Sequence, residues 1–313
     1  MRLPQAAQWL AKAGKGGLFA PLRRYRPRKG AGGDASVRAA AAAGRFAETL
    51  VEDLRAGIGR QEFLPFYQPI LACETGELLG FESLARWQHP KLGLLSPSLF
   101  IPIAEELGLV DELCMALLAQ VCRDARVWPG HLTLSINISP VQLTDPTLSR
   151  RLLQQLLAGG IAPGRLIVEL TESRRVNDLE AAREALIALR SVGIKLALDD
   201  FGAGFTNLRY LNELPFDRIK IDRSFISTLD GFTGRVIVRS IISLAQSLNM
   251  VVTAEGVETQ EQADLLCGMG CDQGQGFLFG RAMPAAAVLQ MIGSREESIA
   301  HAPYSEAPFS AVG

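Results

Sequence analysis

Lys195 to Asp200 reads K-L-A-L-D-D, a short apolar run that ends in two adjacent acids. Short apolar runs bounded by turn signals are typical of buried parallel strands, and the stretches between them have helical periodicity. Five more runs end in a residue that suits a metal ion or a phosphate, the last of them more weakly: Thr133 to Asn137, Leu166 to Glu169, Arg218 to Asp222, Met250 to Glu255 and Cys271 to Gln275. This helix-plus-strand spacing predicts an α/β fold, a TIM-like (β/α)8 barrel. Because active-site groups of such barrels lie at the carboxyl ends of the strands, we expect these polar residues to share one pocket.

Length and composition agree with a single barrel. The chain has 313 residues, of which 21% are charged and 48% hydrophobic, and this suits one barrel of about 250 residues with extensions. No uninterrupted apolar stretch approaches the roughly 20 residues that span a bilayer, and the first twenty residues lack the core of a secretory signal. We therefore expect a cytoplasmic protein.

Cysteine and histidine content excludes several kinds of site. Five scattered cysteines, an odd number, argue against a disulfide framework. Cys267 and Cys271 could bind a metal only with a second Cys/His pair nearby, so ordinary buried thiols are the better interpretation. None of the three histidines is paired with another at ligand spacing, which leaves little material for a histidine zinc site or a Ser/His/Asp triad.

Charge is distributed unevenly along the chain. Residues 1–45 contain ten basic residues and one acid, Asp34, so that 22 basic and 32 acidic residues remain of the totals of 32 and 33. We predict that residues 1–45 form a flexible basic arm, residues 46–293 the barrel domain and residues 294–313 a tail. The arm is either a solvated leader, which we favour, or a weak contact with an anionic surface. We expect no specific binding of nucleic acid.

Acids at the strand ends indicate the chemistry of the predicted pocket. Five carboxylates and one carboxamide would meet there: Glu82, Asn137, Glu169, Asp199, Asp200 and Glu255. Carboxylates that close raise each other's pKa values unless cations neutralise them. Ligation by oxygen alone favours Mg²⁺ or Mn²⁺ over zinc. Two such ions about 4 Å apart, sharing one carboxylate, are the usual arrangement for activating water against a phosphodiester.

Each of these residues also has an ordinary structural interpretation. Glu169 could cap the next helix, Asp199 could be a turn residue, and Lys220 could pair with an acid across a strand. Gln68 and Arg86, taken singly, have the character of surface residues. The arrival of six polar residues in the same register favours a shared site over six independent explanations.

Phe81 to Trp87, F-E-S-L-A-R-W, resembles the motif that names the EAL-domain cyclic-di-GMP phosphodiesterases. Seven further motifs occur in family order: Y-Q-P-I from Tyr67, N-I-S from Asn137, E-L-T-E from Glu169, D-D-F-G-A-G-F from Asp199, K-I-D from Lys220, A-E-G-V-E from Ala254 and Q-G-F from Gln275. Eight ordered matches between Phe46 and Ile292 are specific, whereas one three-letter match would not be. The resemblance also implies an EAL-type barrel fold.

The resemblance implies a role for each matching residue. One Mg²⁺ or Mn²⁺ would be held by Glu82, Asn137, Glu169 and Asp199, and a second ion by Asp199, Asp200 and Glu255. Lys220 would lie beside the scissile phosphate as a catalytic residue, together with Glu255, and would orient the attacking water. Glu172 would act through the loop from Asp200 to Asn207, bracing it so that the second metal site stays assembled.

The resemblance also implies a substrate and a reaction. Gln68 and Arg86 would grip the guanine and phosphate of cyclic-di-GMP, with Gln275 on the far wall of the cleft and Glu258 in the same substrate-binding set. The reaction would be hydrolysis to linear pGpG through water activated by two metal ions, and the protein would form a homodimer. The alternative is an inactive EAL domain that serves as a cyclic-di-GMP receptor or an interaction module. Such a domain is expected to lack a ligand or the lysine, and this sequence has them all.

Overall fold

Eight strands close into a barrel in this computed structural model, which describes residues 50–171, 178–202 and 208–300. The sheet has nine strands, of which all but β3 belong to the barrel: β1 (Phe63–Ala72), β2 (Leu78–His89), β3 (Gly93–Leu95), β4 (Thr133–Ile138), β5 (Leu166–Thr171), β6 (Lys195–Phe201), β7 (Arg218–Ile221), β8 (Val251–Ala254) and β9 (Gln273–Gln275). They form one sheet in the order β1-β9-β8-β7-β6-β5-β4-β2-β3, and an additional pairing of β1 with β2 closes the barrel. The predicted TIM-like barrel is thus confirmed.

One strand of the barrel departs from the parallel pattern. The pairs from β2–β4 through β8–β9 are all parallel, whereas β1 pairs antiparallel with β9. The short β3, outside the barrel, pairs antiparallel with β2. Only residues 73–77 connect β1 to β2, which is too short for the crossover that parallel neighbours need. The backbone N–H of Ala72 donates instead to the carbonyl of Glu77 across a tight turn, at 2.9 Å.

Helices alternate with the parallel strands along the chain. They are α1 (described over 50–59), α2 (Pro97–Glu106), α3 (Val110–Ala125), α4 (Leu148–Gly159), α5 (Leu179–Ser191), α6 (Leu208–Glu213), α7 (Arg223–Ile226), α8 (Phe232–Ser247), α9 (Gln260–Gly268) and α10 (Ala285–Ala300), with 3-10 turns at Pro140–Thr144 and Pro163–Arg165. Capping side chains fix where several of these helices begin. The Asp178 carboxylate accepts from the backbone N–H of Ala181 before α5, and Thr259 forms a capping box with Gln262 before α9.

The described residues divide into two compact units, residues up to Leu64 with Ala85–Leu117, and Pro65–Leu84 with the residues from Leu118 onward. Aromatic rings fill the core of the first unit. The Phe63 ring stacks on Trp87 with 4.8 Å between ring centroids and meets Phe100 edge-on at 5.2 Å. The Trp87 indole N–H donates to the Glu62 carboxylate at 3.0 Å, so its one polar atom is satisfied.

In the second unit, strand alternation separates an apolar face from a polar interior. Ile219 and Ile221 of β7 are fully buried in one apolar cluster with Val238 and Ile242 of α8. Burial of each such side chain contributes about 1.5–3 kcal/mol. Because successive side chains on a strand point to opposite faces, Lys220 between the two isoleucines projects into the barrel interior.

The predicted arm, residues 1–45, lies outside the described residues, and so do residues 301–313 of the tail predicted at 294–313. Helix α10 continues through residues 294–300 of that tail, and the domain boundaries stay predictions. Among the described residues, no helix combines the length and the apolar character that crossing a bilayer requires.

Candidate functional site

Carboxylates from separate strands meet at the carboxyl ends of the barrel strands. Parallel register pairs Asn137 on β4 with Glu169 on β5, and Thr171 at the end of β5 with Asp199 on β6. Two groups have one carboxylate oxygen per residue within 4.8 Å of one another: Glu82, Glu169 and Asp199, and then Asp199, Asp200 and Glu255. Asp199 belongs to both groups. The arrangement therefore offers two adjoining metal positions with one carboxylate in common.

A backbone irregularity lets the sequence neighbours Asp199 and Asp200 both serve this cluster. In a regular strand their side chains would point to opposite faces. The pairing of β6 with β7 shifts register between Leu198 and Phe201, and Asp200 adopts a left-handed backbone with φ of 55°. For a residue other than glycine this conformation costs of the order of 1–3 kcal/mol and is typical of functional sites.

Lys220 lies at the centre of the cluster. Its Nζ is 2.6 Å from Glu255 Oε1, 2.7 Å from Glu169 Oε2, 3.1 Å from Asp199 Oδ1 and 3.2 Å from Glu82 Oε2. The ammonium group has only three protons for these four carboxylates. Asp199 Oδ1, although 3.1 Å from Nζ, accepts no hydrogen bond, so its contact with Lys220 is an ion pair only.

Burial and mutual repulsion shift the pKa values of these groups. Burial, and then the neighbouring carboxylates, raise the pKa of Glu169 to about 8 and that of Asp200 to about 6. The pKa values of Asp199 and Glu255 are raised for the same reasons. Burial alone would lower the pKa of Lys220, but the surrounding carboxylates outweigh it and raise that pKa well above its usual range. Lys220 is therefore a fixed positive charge.

Glu82 differs from the other acids because amide groups orient its carboxylate. Asn137 Nδ2 donates to Oε1 at 2.9 Å, and Gln275 Nε2 donates to Oε2 at 2.6 Å. Burial raises the pKa of Glu82, but the charge of Lys220 and these two donors together lower it below its usual value. Glu82 thus stays ionised where its neighbours tend to hold protons.

Gln275 contacts a proposed metal ligand, Glu82, and its place on the far wall of a substrate cleft stays a prediction. Its Nε2 also donates to Gln68 Oε1 at 3.1 Å, and Gln68 Nε2 donates to the carbonyl of Gly280 at 3.2 Å. These donations fix which way the Gln275 amide faces. The contact between Gln275 and Glu82 is a site feature that sequence reasoning missed. Its only signal was the position of Gln275 at a strand end.

The donor set fits hard divalent cations. Every candidate ligand atom is an oxygen, and Asp199 Oδ1 and Gln275 Oε1 are buried acceptors without a hydrogen-bond donor among the described residues. With all five carboxylates ionised and Lys220 protonated, the cluster carries a formal charge of minus four, which two divalent ions would balance. Lys220 alone leaves most of that repulsion in place, and this is the physical reason for expecting metal here.

Three other predicted residues lie outside these contacts. Arg86 belongs to the first unit, where its Nη1 donates to the carbonyl of Ala85 at 2.8 Å. Glu258 is exposed after β8, and its backbone N–H donates to Gln262 Oε1 at 2.8 Å. Glu172 lies outside the described residues. The substrate-binding roles of Arg86 and Glu258, and the bracing role of Glu172, stay predictions.

Comparisons with known proteins identify the family. The family profile described as EAL domain matches residues 51–282. An uncharacterized signaling protein of Caulobacter vibrioides is 41% identical over 245 residues, 78% of this chain and 30% of the relative. MucR of Pseudomonas aeruginosa, a bifunctional diguanylate cyclase/cyclic di-GMP phosphodiesterase, is 38% identical over 248 residues, 78% of this chain and 36% of MucR.

The similarity extends from the sequence to the fold of a solved structure. The MucR phosphodiesterase in complex with c-di-GMP superposes with a TM-score of 0.72 at 37% identity, covering 77% of this chain and 99% of that one. The chain spans about a third of the length of the curated relatives named above. The resemblance carried by the eight sequence motifs is confirmed, and the protein belongs to the EAL-domain family.

Proposed function

We propose that this protein hydrolyses one phosphodiester bond of cyclic-di-GMP and releases linear pGpG, with two Mg²⁺ or Mn²⁺ ions as cofactors. The observation that supports the proposal is the cluster of five carboxylates, four of them in contact with Lys220, in which two groups at ligand spacing share Asp199. The name of MucR, a cyclic di-GMP phosphodiesterase at 38% identity, supports the same substrate.

The proposed metal ligands divide into two sets: Glu82, Asn137, Glu169 and Asp199 for one ion, and Asp199, Asp200 and Glu255 for the other. Bound divalent ions would supply the Lewis acidity that activates water and neutralises phosphate charge. Asn137 is the neutral member, and its amide also donates to Glu82 at 2.9 Å. Phosphodiesters are inert in water, so neutralisation and positioning must provide most of the acceleration.

The residues of the chain hold the reactants in this proposal. Lys220 would contribute positive charge and hydrogen-bond donors to the phosphate, as its ammonium group donates to Glu82 and Glu169 in this structure. The Glu255 side chain is 17% exposed, against 2–9% for the other carboxylates around Lys220. Solvent reaches it most readily, and we assign it to hold the attacking water.

Substrate positioning is assigned to polar groups near the cluster and to residues carried over by resemblance. Gln68 and Gln275 form a hydrogen-bonded amide pair beside Glu82, suited to the edge of a base or to a phosphate oxygen. Arg86 would contribute a guanidinium, which pairs well with phosphate, and Glu258 would contact a guanine donor. The homodimer and the contact of residues 1–45 with an anionic surface are further proposals.

One assay separates the enzyme from the receptor. Purified protein is incubated with cyclic-di-GMP and either Mg²⁺ or Mn²⁺, and pGpG is measured by chromatography beside a calorimetric binding measurement. We expect turnover by the wild type, none by Lys220→Met, and full turnover by the matched control Lys195→Met, whose side chain is exposed at the start of β6. Binding without turnover in the wild type would establish the receptor, and absence of both would leave an interaction module.

A further inference from the structure

Two cysteines that are distant in sequence meet where the antiparallel strand joins the barrel. Cys73 directly follows β1, and Cys271 lies two residues before β9. The backbone N–H of Cys73 donates to the carbonyl of Asp272 at 3.0 Å, which extends the pairing of Ala72 with Gln273. Cys73 packs against the apolar cluster that includes Cys271, and the Cys271 thiol forms a hydrogen bond with that of Cys73.

The two thiols have unequal surroundings. Cys73 is partly exposed, whereas Cys271 is 5% exposed and belongs to the apolar cluster that contains Ile219 and Val238. The Cys271 thiol also lies 3.3 Å from the carbonyl of Gln273 and 3.6 Å from that of Val252, so its single proton has three alternative acceptors.

This asymmetry has the character of an attacking and a resolving thiol. The hydrogen bond from Cys271 lowers the pKa of Cys73. The same bond, together with burial, raises the pKa of Cys271 well above its usual range. An accessible thiol that ionises readily beside a buried partner is the usual arrangement of oxidisable pairs. By contrast, burial raises the pKa of Cys122 to about 11, which makes that thiol unreactive.

We propose that Cys73 and Cys271 are a modification site that forms a reversible disulfide on exposure to hydrogen peroxide. The Cys73 thiolate attacks one peroxide oxygen, the O–O bond breaks, and the released hydroxide takes up a proton to leave as water. The sulfur of Cys271 then attacks the resulting sulfenic acid, the S–S bond forms, and a second water leaves. In total the two thiols lose two protons and two electrons, and the peroxide is reduced to two water molecules.

The location sets what the disulfide does. It would join β1 to β9 at the start of β9, whereas Gln275 and its contact with Glu82 lie at the end of that strand. The bond is thus at the opposite end of the barrel strands from the carboxylate cluster and consumes none of the proposed ligands. It would fix the pairing of the one antiparallel strand with its neighbour.

Peptide mapping of the full chain tests the proposal. Reduced protein freed of reductant is treated with hydrogen peroxide, the remaining thiols are blocked with iodoacetamide, and trypsin digestion follows without reductant. We expect the peptide from Gln61 to Arg86, which contains Cys73, to be linked to the peptide from Ser240 to Arg281. With Cys267 carrying the carbamidomethyl group from iodoacetamide, the linked mass should be two hydrogens below the sum of the two peptides, and dithiothreitol should separate them.

Variants assign the bond, because the second peptide contains both Cys267 and Cys271. Cys73→Ser and Cys271→Ser should each abolish the link, and the matched control Cys267→Ser should retain it. Cys271→Ala, which unlike serine removes the hydrogen-bond donor, should also slow the reaction of Cys73 with Ellman's reagent several-fold. A link that persists in Cys271→Ser, or wild-type Cys73 that proceeds to sulfinic acid without any link, would overturn the proposal. The wild-type map alone decides if a variant fails to fold.

Discussion

Replacing Lys220 by methionine should destabilise the protein strongly when metal is absent and much less when metal is present. The Nζ atom lies within 3.2 Å of four carboxylates in a side chain that is 3% exposed, so no solvent can replace its charge. Removing one partner from a buried ion pair costs about 3–5 kcal/mol. For a domain of this size, 1 kcal/mol shifts Tm by about 2–4 °C, so the expected loss is roughly 6–20 °C.

Thermal unfolding measures both states. Lys220→Met and the matched control Lys195→Met are melted in a chelator and again with Mg²⁺ or Mn²⁺. The pH is set near the pKa of Glu169, which is about 8. The control should change the free energy of unfolding by no more than about 0.5 kcal/mol, because Lys195 is exposed. Divalent ions should recover most of the loss in Lys220→Met. Equal melting of the two variants in chelator, or an equal loss with and without metal, would refute the reasoning.

Three further predictions concern the same cluster. In chelator, the free energy of unfolding should fall as the pH rises from about 5 to about 8, by up to about 1.4 kcal/mol per pH unit for each group. A carboxyl group whose pKa is raised in the folded state stabilises the fold fully at a pH below its pKa in the unfolded chain. That contribution is lost as the pH rises through the folded-state pKa, which is about 6 for Asp200 and about 8 for Glu169. Melting across this range checks it, metal should flatten the profile, and a chelated profile that rises with pH would contradict it. Gln275→Leu should weaken metal affinity by about 10–100-fold, because Glu82 loses the hydrogen-bond donor that orients its carboxylate. Titration calorimetry measures the affinity, and an unchanged value would exclude this orienting role. Asp200→Asn keeps a side-chain oxygen and tolerates the left-handed backbone, but it removes a negative charge. One of the two bound metal equivalents should therefore be lost in the same titration. Binding of both equivalents would remove Asp200 from the ligand set.

The barrel was predictable because buried parallel strands have a distinctive pattern. Strand β6 is the predicted run from Lys195 to Asp200 extended by one residue, and β8 is the run from Met250 to Glu255 shortened by one residue at each end. The reversed direction of β1 was not predicted, because apolar periodicity carries no information about strand direction. The direction of β1 follows from the five-residue connection between β1 and β2, but this connection can be interpreted only when the strands that pair with β1 are known.

The site was predictable as a set of residues and less so as a set of contacts. A shared strand-end register correctly indicated that Glu169, Asp199 and Glu255 would meet. The place of Lys220 among four carboxylates was not predicted, because the sequence indicates which face a strand residue occupies and not how far its side chain reaches. Counting cysteines likewise gave no sign that Cys73 and Cys271 lie side by side, since that contact depends on the closure of the barrel.

Closure through β1 and β9 also has a consequence for biosynthesis. Ile70 pairs with Gln275, so a strand made early waits for one of the last elements of the domain to leave the ribosome. Contacts of such sequence separation form slowly, and until then both strands expose unpaired backbone edges. Nascent chains that stop short of β9 should therefore be prone to aggregation and dependent on chaperones, even though every proposed metal ligand has already been translated.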